Sequence, residues 1–200
     1  MNIGLDIDGV LTDIHGFNLR HAPLYFRRKF GREVIDEDEN DIRDIFKCPD
    51  NEWMSYWRRF LIKYVTLEPS RKGAETFTRK LQEDGHRVFI ISKRVFAYRQ
   101  DLMGLLMRGI VRNWLWRNGI VYNELIFCDA EIPDSKKPVC LDKSIDVMID
   151  DEPLNINFIV SVAKAICFET SYNLECSGEN IFRAKDYNEA YNFICNLRGE

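Results

Sequence analysis

Five short apolar runs recur along the chain, and the segments between them repeat apolar residues at helical spacing. None of the runs alternates strongly with polar residues, which is typical of strands that are buried on both faces of a parallel sheet. Parallel neighbours need crossover connections, and helices between the strands supply them. The pattern therefore predicts an α/β fold in which helices cover both sides of a parallel sheet of about five strands. The five runs are NIGLDID (2–8), RVFIIS (87–92), ELIFCD (124–129), DVMIDD (146–151) and AKAICFE (163–169).

Start and stop signals mark several of the helices. One helix is predicted to end at Gly85, because glycine readily adopts the left-handed conformation that closes a helix. A longer helical stretch covers 97–117, and Pro153 suits the first turn of a further helix. The last helix is predicted to start at Asp186, with Glu189 three residues later completing a capping box.

The connection between the first two strands is far longer than a simple crossover. It spans about 78 residues, whereas a crossover helix needs only about a dozen. The segment 14–72 contains no strand-like run, but helices are predicted over 17–30 and 52–64. We therefore predict that 14–72, called the insertion below, is a small helical cap set into a core formed by 1–13 and 73–200.

Aromatic and basic side chains are frequent in the insertion. The apolar residues of its second helix recur at helical spacing, which favours the interpretation that they form the insertion's own core and that the basic residues face water. The alternative is that an aromatic ring stacks on a substrate base while a basic side chain holds its sugar or phosphate. The apolar residues in question are Trp53, Trp57, Phe60, Leu61 and Tyr64.

Composition narrows the class of protein. Hydrophobic residues make up 46% of the chain and aromatic residues 12%, which is enough for a packed core. The net charge of −4 argues against a general nucleic-acid binder. No apolar run approaches the roughly 20 residues of a membrane span, and no signal peptide is evident. The six cysteines form no C-x-x-C pair, so we expect buried free thiols in a cytoplasmic protein rather than disulfides or a zinc site.

Charged and hydroxyl side chains gather where the predicted strands end. Ligands of an open parallel sheet bind at the carboxyl ends of its strands, so we expect these side chains to converge on one edge. They are Asp6 and Asp8 after the first strand, Ser92, Lys93 and Arg94 after the second, Asp150 and Asp151 after the fourth, and the pair Lys136 and Lys137 before it.

This combination of side chains points to phosphate chemistry with a metal ion. Four carboxylates in a partly dry site cannot all be ionised without a cation, and oxygen ligands without histidine select a hard ion such as Mg²⁺. A metal-bound aspartate can attack phosphorus, and a carboxylate two residues on can protonate the leaving oxygen. A hydroxyl and an ammonium group can bind the phosphoryl oxygens and offset their charge in the transition state.

Asp13 and Asp129 are weaker candidates for the site. Asp13 follows Thr12, and capping of the next helix is at least as good an interpretation as a role in the site. Asp129 also ends a predicted strand, but no other residue points to it, and we interpret it as structural.

Three stretches together resemble a known superfamily. DIDGVLTD resembles the first motif, D-x-D-G-x-x-x-D, of the haloacid-dehalogenase-like (HAD) phosphohydrolases, FIISKR resembles the second motif and VMIDD the fourth. The insertion after the first motif is similar to that superfamily's helical cap of the first type. The run from RNWLWRNGIVYNELIFCD to SIDVMIDDEP looks most like the 5′-deoxyribonucleotidase branch. The resemblance implies a three-layer Rossmann-like core.

The resemblance also implies a role for each residue. Asp6 would be the nucleophile and a metal ligand, while Asp8 would be the general acid and base and would give its backbone carbonyl to the metal. Asp150 would complete the metal site, with Asp151 and Arg94 in support. Ser92 would bind phosphate, as would Lys136, which is favoured over Lys137 because a helix could start there. The ISKR sequence departs from the usual second motif, which leaves a phosphate-binding role for Lys93 open.

The expected function is Mg²⁺-dependent hydrolysis of a phosphomonoester through an aspartyl-phosphate. The resemblance favours a nucleoside 5′-monophosphate, in particular a deoxynucleotide. The alternatives are a phosphatase of a sugar phosphate or biosynthetic intermediate, and a non-catalytic binding protein with the same fold. The expected partner is a small phosphomonoester rather than a nucleic-acid polymer or a membrane, and the sequence leaves a homodimer open.

Overall fold

The computed structural model describes residues 1–198, and its core is a single parallel sheet. The sheet contains six strands in the order β3-β2-β1-β4-β5-β6, and every neighbouring pair is parallel. The predicted α/β class with a parallel sheet is confirmed. The strands are β1 (Asn2–Leu5), β2 (Arg87–Ser92), β3 (Glu124–Phe127), β4 (Val147–Asp150), β5 (Lys164–Phe168) and β6 (Ile181–Ala184).

The sixth strand is the one that the apolar pattern does not predict. β6 is four residues long and lies at the edge of the sheet, where it pairs only with β5. Three of its four residues are half-buried, and Arg183 is one of these three. The strand therefore lacks the continuous apolar run of a central strand.

Eight α-helices connect or flank the strands within the described residues. The long predicted stretch over 97–117 starts later in the structure, at Leu102, where Asp101 caps the helix by accepting a hydrogen bond from the Gly104 N–H. The helices are α1 (Ile14–Phe30), α2 (Ile42–Phe46), α3 (Asp50–Leu67), α4 (Ala74–Glu83), α5 (Leu102–Arg117), α6 (Lys136–Asp142), α7 (Pro153–Ile159) and α8 (Tyr187–Arg198).

Helices cover both faces of the sheet because its strands are apolar on both sides. On one face, side chains such as Leu5 and Ile90 pack with α4, α5 and α8 in one cluster of buried residues. On the other face, Ile91 and Met148 pack with α6 and α7 in a second cluster. These two clusters make the three-layer arrangement of an α/β core.

The strand order reverses direction at β1. The chain builds the sheet outward from β1 to β2 and β3, then returns to place β4 on the other side of β1. The carboxyl ends of β1 and β4 are therefore neighbours at a topological switch point, where open α/β sheets bind their ligands. The N–H of Asp6 donates to the Ile149 carbonyl over 3.0 Å and ties the two ends together.

The chain divides into two compact units, one formed by 1–12 and 69–200 and the other by 13–68. The helical insertion predicted from the sequence extends further, to residue 72. Residues 69–72 belong with the sheet because Thr12 and Ser70 form an antiparallel bridge and the Arg71 N–H donates to the Leu11 carbonyl over 2.8 Å.

The helical unit, residues 13–68, has its own core. Phe26 stacks on Phe46 with 4.4 Å between ring centroids, and Tyr56 is fully buried beside them. Aromatic side chains of α3 pack on this cluster, as their helical spacing predicts. Arg20 joins the two ends of the unit, with its Nη2 2.5 Å from Glu68 Oε1 and its Nη1 3.6 Å from Asp13 Oδ2.

The six cysteines are free thiols, as expected, and five of them are buried. The expectation of burial is wrong for Cys195, which lies on the exposed side of α8. Among residues 1–198, none of the helices combines the length and the apolar character that a membrane crossing requires.

Candidate active site

The turn after β1 carries the first two acids of the site. β1 ends at Leu5, and the N–H groups of Leu11 and Thr12 both donate to the Ile7 carbonyl over 2.9 Å, which closes a tight turn around Asp8 and Gly9. Gly9 has φ +88°, a conformation that side chains disfavour. A Cβ atom there would lie 2.0 Å from Asp151 Oδ2, so the turn can approach Asp151 only because residue 9 is glycine.

A buried lysine lies between the acids of β1 and β4. The Lys136 Nζ is 2.9 Å from Asp6 Oδ1 and donates a hydrogen bond of 2.6 Å to Asp150 Oδ2. Only 2% of the Lys136 side chain is exposed, and the Asp150 side chain has no exposed surface. The lysine reaches this position because it is the first residue of α6, and Lys137 next to it is only half-buried.

Burial and neighbouring charges shift the protonation of these groups. Burial, together with the nearby charges of Asp150 and Asp8, raises the pKa of Asp6 to about 7 even though Lys136 opposes the shift. Burial and the charges of Asp150 and Asp6 raise the pKa of Asp151 well above its usual range. Burial alone would lower the pKa of Lys136, but Asp150 and Asp6 hold it above its usual range. The acids therefore lack sufficient positive charge around them.

The same acids form a cluster that could hold a hard cation. Carboxylate oxygens of Asp6, Asp150 and Asp151 all lie within 4.8 Å of one another, and all three residues are buried. Asp151 Oδ1 is buried and finds no hydrogen-bond partner among residues 1–198, so it offers a free oxygen ligand. Three carboxylates against one ammonium group leave net negative charge, which fits a divalent cation with oxygen ligands.

The second predicted strand brings a hydroxyl and an arginine to the site. Ser92 ends β2 and is fully buried, and its Oγ accepts a hydrogen bond of 3.1 Å from the Arg94 N–H. The Arg94 guanidinium pairs with the Asp8 carboxylate, with Nη2 donating to Oδ1 and Nε donating to Oδ2 over 3.2 Å. The carboxylate of Asp8 is thus bound to an arginine, while that of Asp6 is bound to a lysine.

Lys93 lies beside the site but contacts other groups. Its Nζ donates to the Pro133 carbonyl over 2.5 Å and to Asn155 Oδ1 over 3.0 Å. Burial, and then the charge of Lys136, lower its pKa. The predicted role of Lys93 in phosphate binding stays a prediction.

Three residues that sequence reasoning missed hold the fourth-strand acids in place. Asn155 Nδ2 donates to Asp150 Oδ1 over 3.1 Å, and its position in the first turn of α7 was the one available signal. The Tyr172 hydroxyl donates to Asp151 Oδ2. The Asn173 side chain donates to the Asp151 carbonyl over 2.8 Å. No pattern in the sequence links Tyr172 or Asn173 to Asp151.

Asp13 and Asp129, the weaker candidates from the sequence, lie outside the acidic cluster of Asp6, Asp150 and Asp151. Asp13 is the N-cap of α1, and its Oδ1 accepts a hydrogen bond of 3.1 Å from the Gly16 N–H. Asp129 Oδ1 accepts from the Glu131 N–H over 2.9 Å, within the loop that precedes α6. The structure thus brings Asp6, Lys136 and the Asp150–Asp151 pair together and connects Asp8 to Arg94.

A family model and a curated relative that match this chain both describe nucleotidases. Residues 1–199 match the family model of the 5′ nucleotidase, deoxy (pyrimidine), cytosolic type C protein. A nucleotidase of Clostridium acetobutylicum is 22% identical over 198 residues, which cover 98% of this chain and 95% of the relative.

Solved structures share the fold at low sequence identity. A crystal structure of a predicted phosphatase from Clostridium acetobutylicum is similar with a TM-score of 0.66 and 13% identity, covering 98% of each chain. A HAD-superfamily hydrolase from Geobacter sulfurreducens is similar with a TM-score of 0.55 and 13% identity, covering 96% of this chain and 95% of that one. At these identities the likeness shows the fold alone.

Replacement of Gly9 by alanine is expected to destabilise the protein. The left-handed conformation costs a residue with a Cβ atom about 1–2 kcal/mol, and the overlap with Asp151 adds to that cost. Denaturant unfolding measures the change. Gly109→Ala is the matched control, because Gly109 lies within α5 with no atom within 4 Å of the added Cβ, and it should gain about 0.5–1 kcal/mol. A Gly9→Ala protein as stable as the unmodified chain would contradict the geometry.

Stabilisation by Mg²⁺ is expected to grow as the pH rises. Asp6 and Asp151 have raised pKa values, so without metal the folded chain holds protons that the unfolded chain has released, and this contribution to stability is lost as the pH rises to about 7. A cation competes with those protons. Thermal unfolding should show a larger Mg²⁺-induced shift at about pH 8 than at about pH 5.

Two variants control the metal experiment. Asp151→Asn should lose most of the Mg²⁺-induced shift, because it removes a carboxylate from the cluster. Asp129→Asn should keep it, because Asp129 also follows a strand but binds only within its own loop. A shift of equal size at both pH values would show that the cation binds elsewhere.

Proposed function

The chain belongs to the 5′ nucleotidase, deoxy (pyrimidine), cytosolic type C family, and we propose that it is a Mg²⁺-dependent phosphomonoester hydrolase that forms an aspartyl-phosphate on Asp6. The observation that carries the proposal is the buried cluster of Asp6, Lys136 and the Asp150–Asp151 pair. It lies beside the switch point of a HAD-like sheet, where such a fold binds its ligand.

Asp6 is the proposed nucleophile. In the first step a carboxylate oxygen of Asp6 forms a bond to phosphorus, the bond from phosphorus to the leaving oxygen breaks, and that oxygen takes a proton from Asp8. In the second step water attacks the phosphorus of the aspartyl-phosphate and gives its proton to Asp8. The bond to Asp6 then breaks, which releases inorganic phosphate and restores both carboxyl groups.

The cation has a defined place in this proposal. Asp6, Asp150 and Asp151 would hold it together with the backbone carbonyl of Asp8, and when bound it supplies positive charge that keeps Asp6 ionised and neutralises the phosphoryl oxygens. The unpartnered Asp151 Oδ1 supports this assignment.

Phosphate binding is assigned to groups at the ends of β2 and α6. The Ser92 hydroxyl and the Lys136 ammonium are proposed to contact the phosphoryl oxygens that do not react. Lys136 also holds the carboxylate of Asp6 at 2.9 Å, so one ammonium group can serve both the nucleophile and the transferred group. Lys93 is assigned only an accessory role, because it already binds Pro133 and Asn155.

The proposed substrate is a nucleoside 5′-monophosphate, with preference for a deoxynucleotide. The family description supports this substrate class. Residues 13–68, which form a compact helical unit, are the proposed cap. A sugar phosphate is the competing substrate within the same chemistry.

A panel of phosphate esters tests the function directly. Release of inorganic phosphate from deoxynucleoside and ribonucleoside 5′-monophosphates and from sugar phosphates should require Mg²⁺ and be highest with deoxynucleotides. Asp6→Asn should reduce kcat by about 10³-fold or more, because a neutral amide cannot form the acyl phosphate. If no ester is hydrolysed, or if Asp6→Asn retains full activity, the chain is a binding protein or uses another nucleophile.

Replacement of Lys136 by methionine is expected to reduce activity strongly. The change removes the only ammonium group within hydrogen-bond distance of both Asp6 and Asp150 among the described residues and leaves those acids unpaired. We expect a loss of about 10²–10³-fold in kcat, as for removal of other transition-state donors. Lys137→Met is the matched control and should stay close to the unmodified protein in a steady-state assay. Equal losses in the two variants would contradict the assignment of Lys136.

A further inference from the structure

We propose that Arg94 is the positioning residue of Asp8, and that it acts on the leaving-group step through that carboxylate rather than by binding the phosphoryl group. This inference rests on the proposed function, because it concerns the acid and base of the same reaction.

The contact between Arg94 and Asp8 fixes the orientation of the Asp8 carboxylate. Arg94 donates through Nε and Nη2 to the two different oxygens of Asp8. A planar guanidinium in two-point contact holds a carboxylate in one orientation, whereas a single contact leaves it free to rotate. Asp8 keeps a partly exposed side chain, at 24%, while the Arg94 side chain is 2% exposed. The arginine is therefore the fixed partner, and the carboxylate is the group that can meet a substrate.

Arg94 itself is held from two sides. Its backbone N–H donates to Ser92 Oγ over 3.1 Å, which ties it to the end of β2. Its guanidinium carbon lies 5.9 Å from the centroid of the Trp114 ring, which belongs to α5 and is buried. One short segment after β2 therefore supplies both the hydroxyl assigned to phosphate binding and the support of the acid assigned to the leaving oxygen.

An arginine at this position could bind the phosphoryl group or could orient Asp8, and the observed hydrogen bonds favour the second role. An arginine that bound the phosphoryl group would direct its paired donors at the substrate. Here the Nε and Nη2 donors are both used on Asp8, so the effect of Arg94 on the reaction passes through that carboxylate. Arg94 should matter most where proton transfer matters most, which is the departure of a poor leaving group.

Two substrates with different leaving groups test this inference. A nucleoside 5′-monophosphate or another alkyl phosphate needs a proton on the departing oxygen, whereas nitrophenolate leaves without one. Arg94→Ala and Arg94→Lys should lower kcat/KM for the alkyl phosphate by about 10–100-fold and change it for nitrophenyl phosphate by less than about threefold. The ratio kcat/KM is the quantity to compare, because it reports the departure of the leaving group and excludes the hydrolysis of the aspartyl-phosphate that both substrates share. The inhibition constant of inorganic phosphate should stay unchanged, because phosphate binding is not affected.

Arg94→Lys keeps the experiment informative if the alanine variant does not fold. It retains the charge but loses the two-point contact, so it should fold and still show the selective loss. Thermal unfolding of each variant establishes that it is folded. Arg99→Ala is the matched control, because Arg99 is in the same loop but is exposed and pairs with Asp101. It should hydrolyse both substrates like the unmodified protein.

A double-mutant cycle with Asp8→Asn locates the effect. If Arg94 acts through Asp8, its replacement should cost almost nothing once Asp8 has lost its carboxylate. Equal losses in kcat/KM with both substrates, a raised inhibition constant for phosphate, or an undiminished cost in the Asp8→Asn background would each overturn the inference.

The same assays separate this inference from the proposed function. An unmodified protein that hydrolyses neither substrate, or whose Asp6→Asn variant is fully active, overturns both. A protein that hydrolyses both substrates through Asp6, but whose Arg94 variants lose kcat/KM equally for the two substrates, overturns only the role of Arg94.

Discussion

The structure depends on a charge imbalance in a buried space. Asp6, Asp150 and Asp151 come within 4.8 Å of one another, and the only ammonium group between them that the described residues supply is that of Lys136. Three carboxylates and one cation leave a site that either takes up protons or binds a further cation, and the raised pKa values of Asp6 and Asp151 express the first state. Such an imbalance fits the binding of a divalent cation.

Two features of the backbone, the strand order and the turn after β1, bring these acids together. The carboxyl ends of β1 and β4 are neighbours because the strand order reverses there, which brings residues 144 positions apart into contact. Gly9 allows the turn after β1 to lie close to Asp151, and the Tyr172 hydroxyl donates a hydrogen bond to the Asp151 carboxylate. Each of these features would be unnecessary in a sheet that only had to pack. They indicate that the end of β4 is built around its acids.

Sequence patterns predict the parts of the site that follow from strand ends. Asp6, Ser92 and Asp150 are at the predicted positions, because apolar runs mark buried strands and parallel strands share one exposed edge. The helix start that favoured Lys136 over Lys137 is present, since α6 begins at Lys136. Contacts made by loops could not be predicted, since Tyr172 reaches Asp151 across 21 residues without any periodic signal. The edge strand β6 was missed for a related reason, because it is short and only half-buried.

The two acids of the first motif differ mainly in the cation that each one faces. Asp6 and Asp8 are chemically identical and two residues apart, yet Asp6 contacts the compact ammonium of Lys136, while Asp8 contacts the planar guanidinium of Arg94. The ammonium group of Lys136 contacts one oxygen of Asp6 and leaves the other available for attack, whereas the two-point guanidinium contact engages both oxygens of Asp8. The division of labour proposed for a nucleophile and a proton carrier therefore follows from the partners of the two acids and not from the acids themselves.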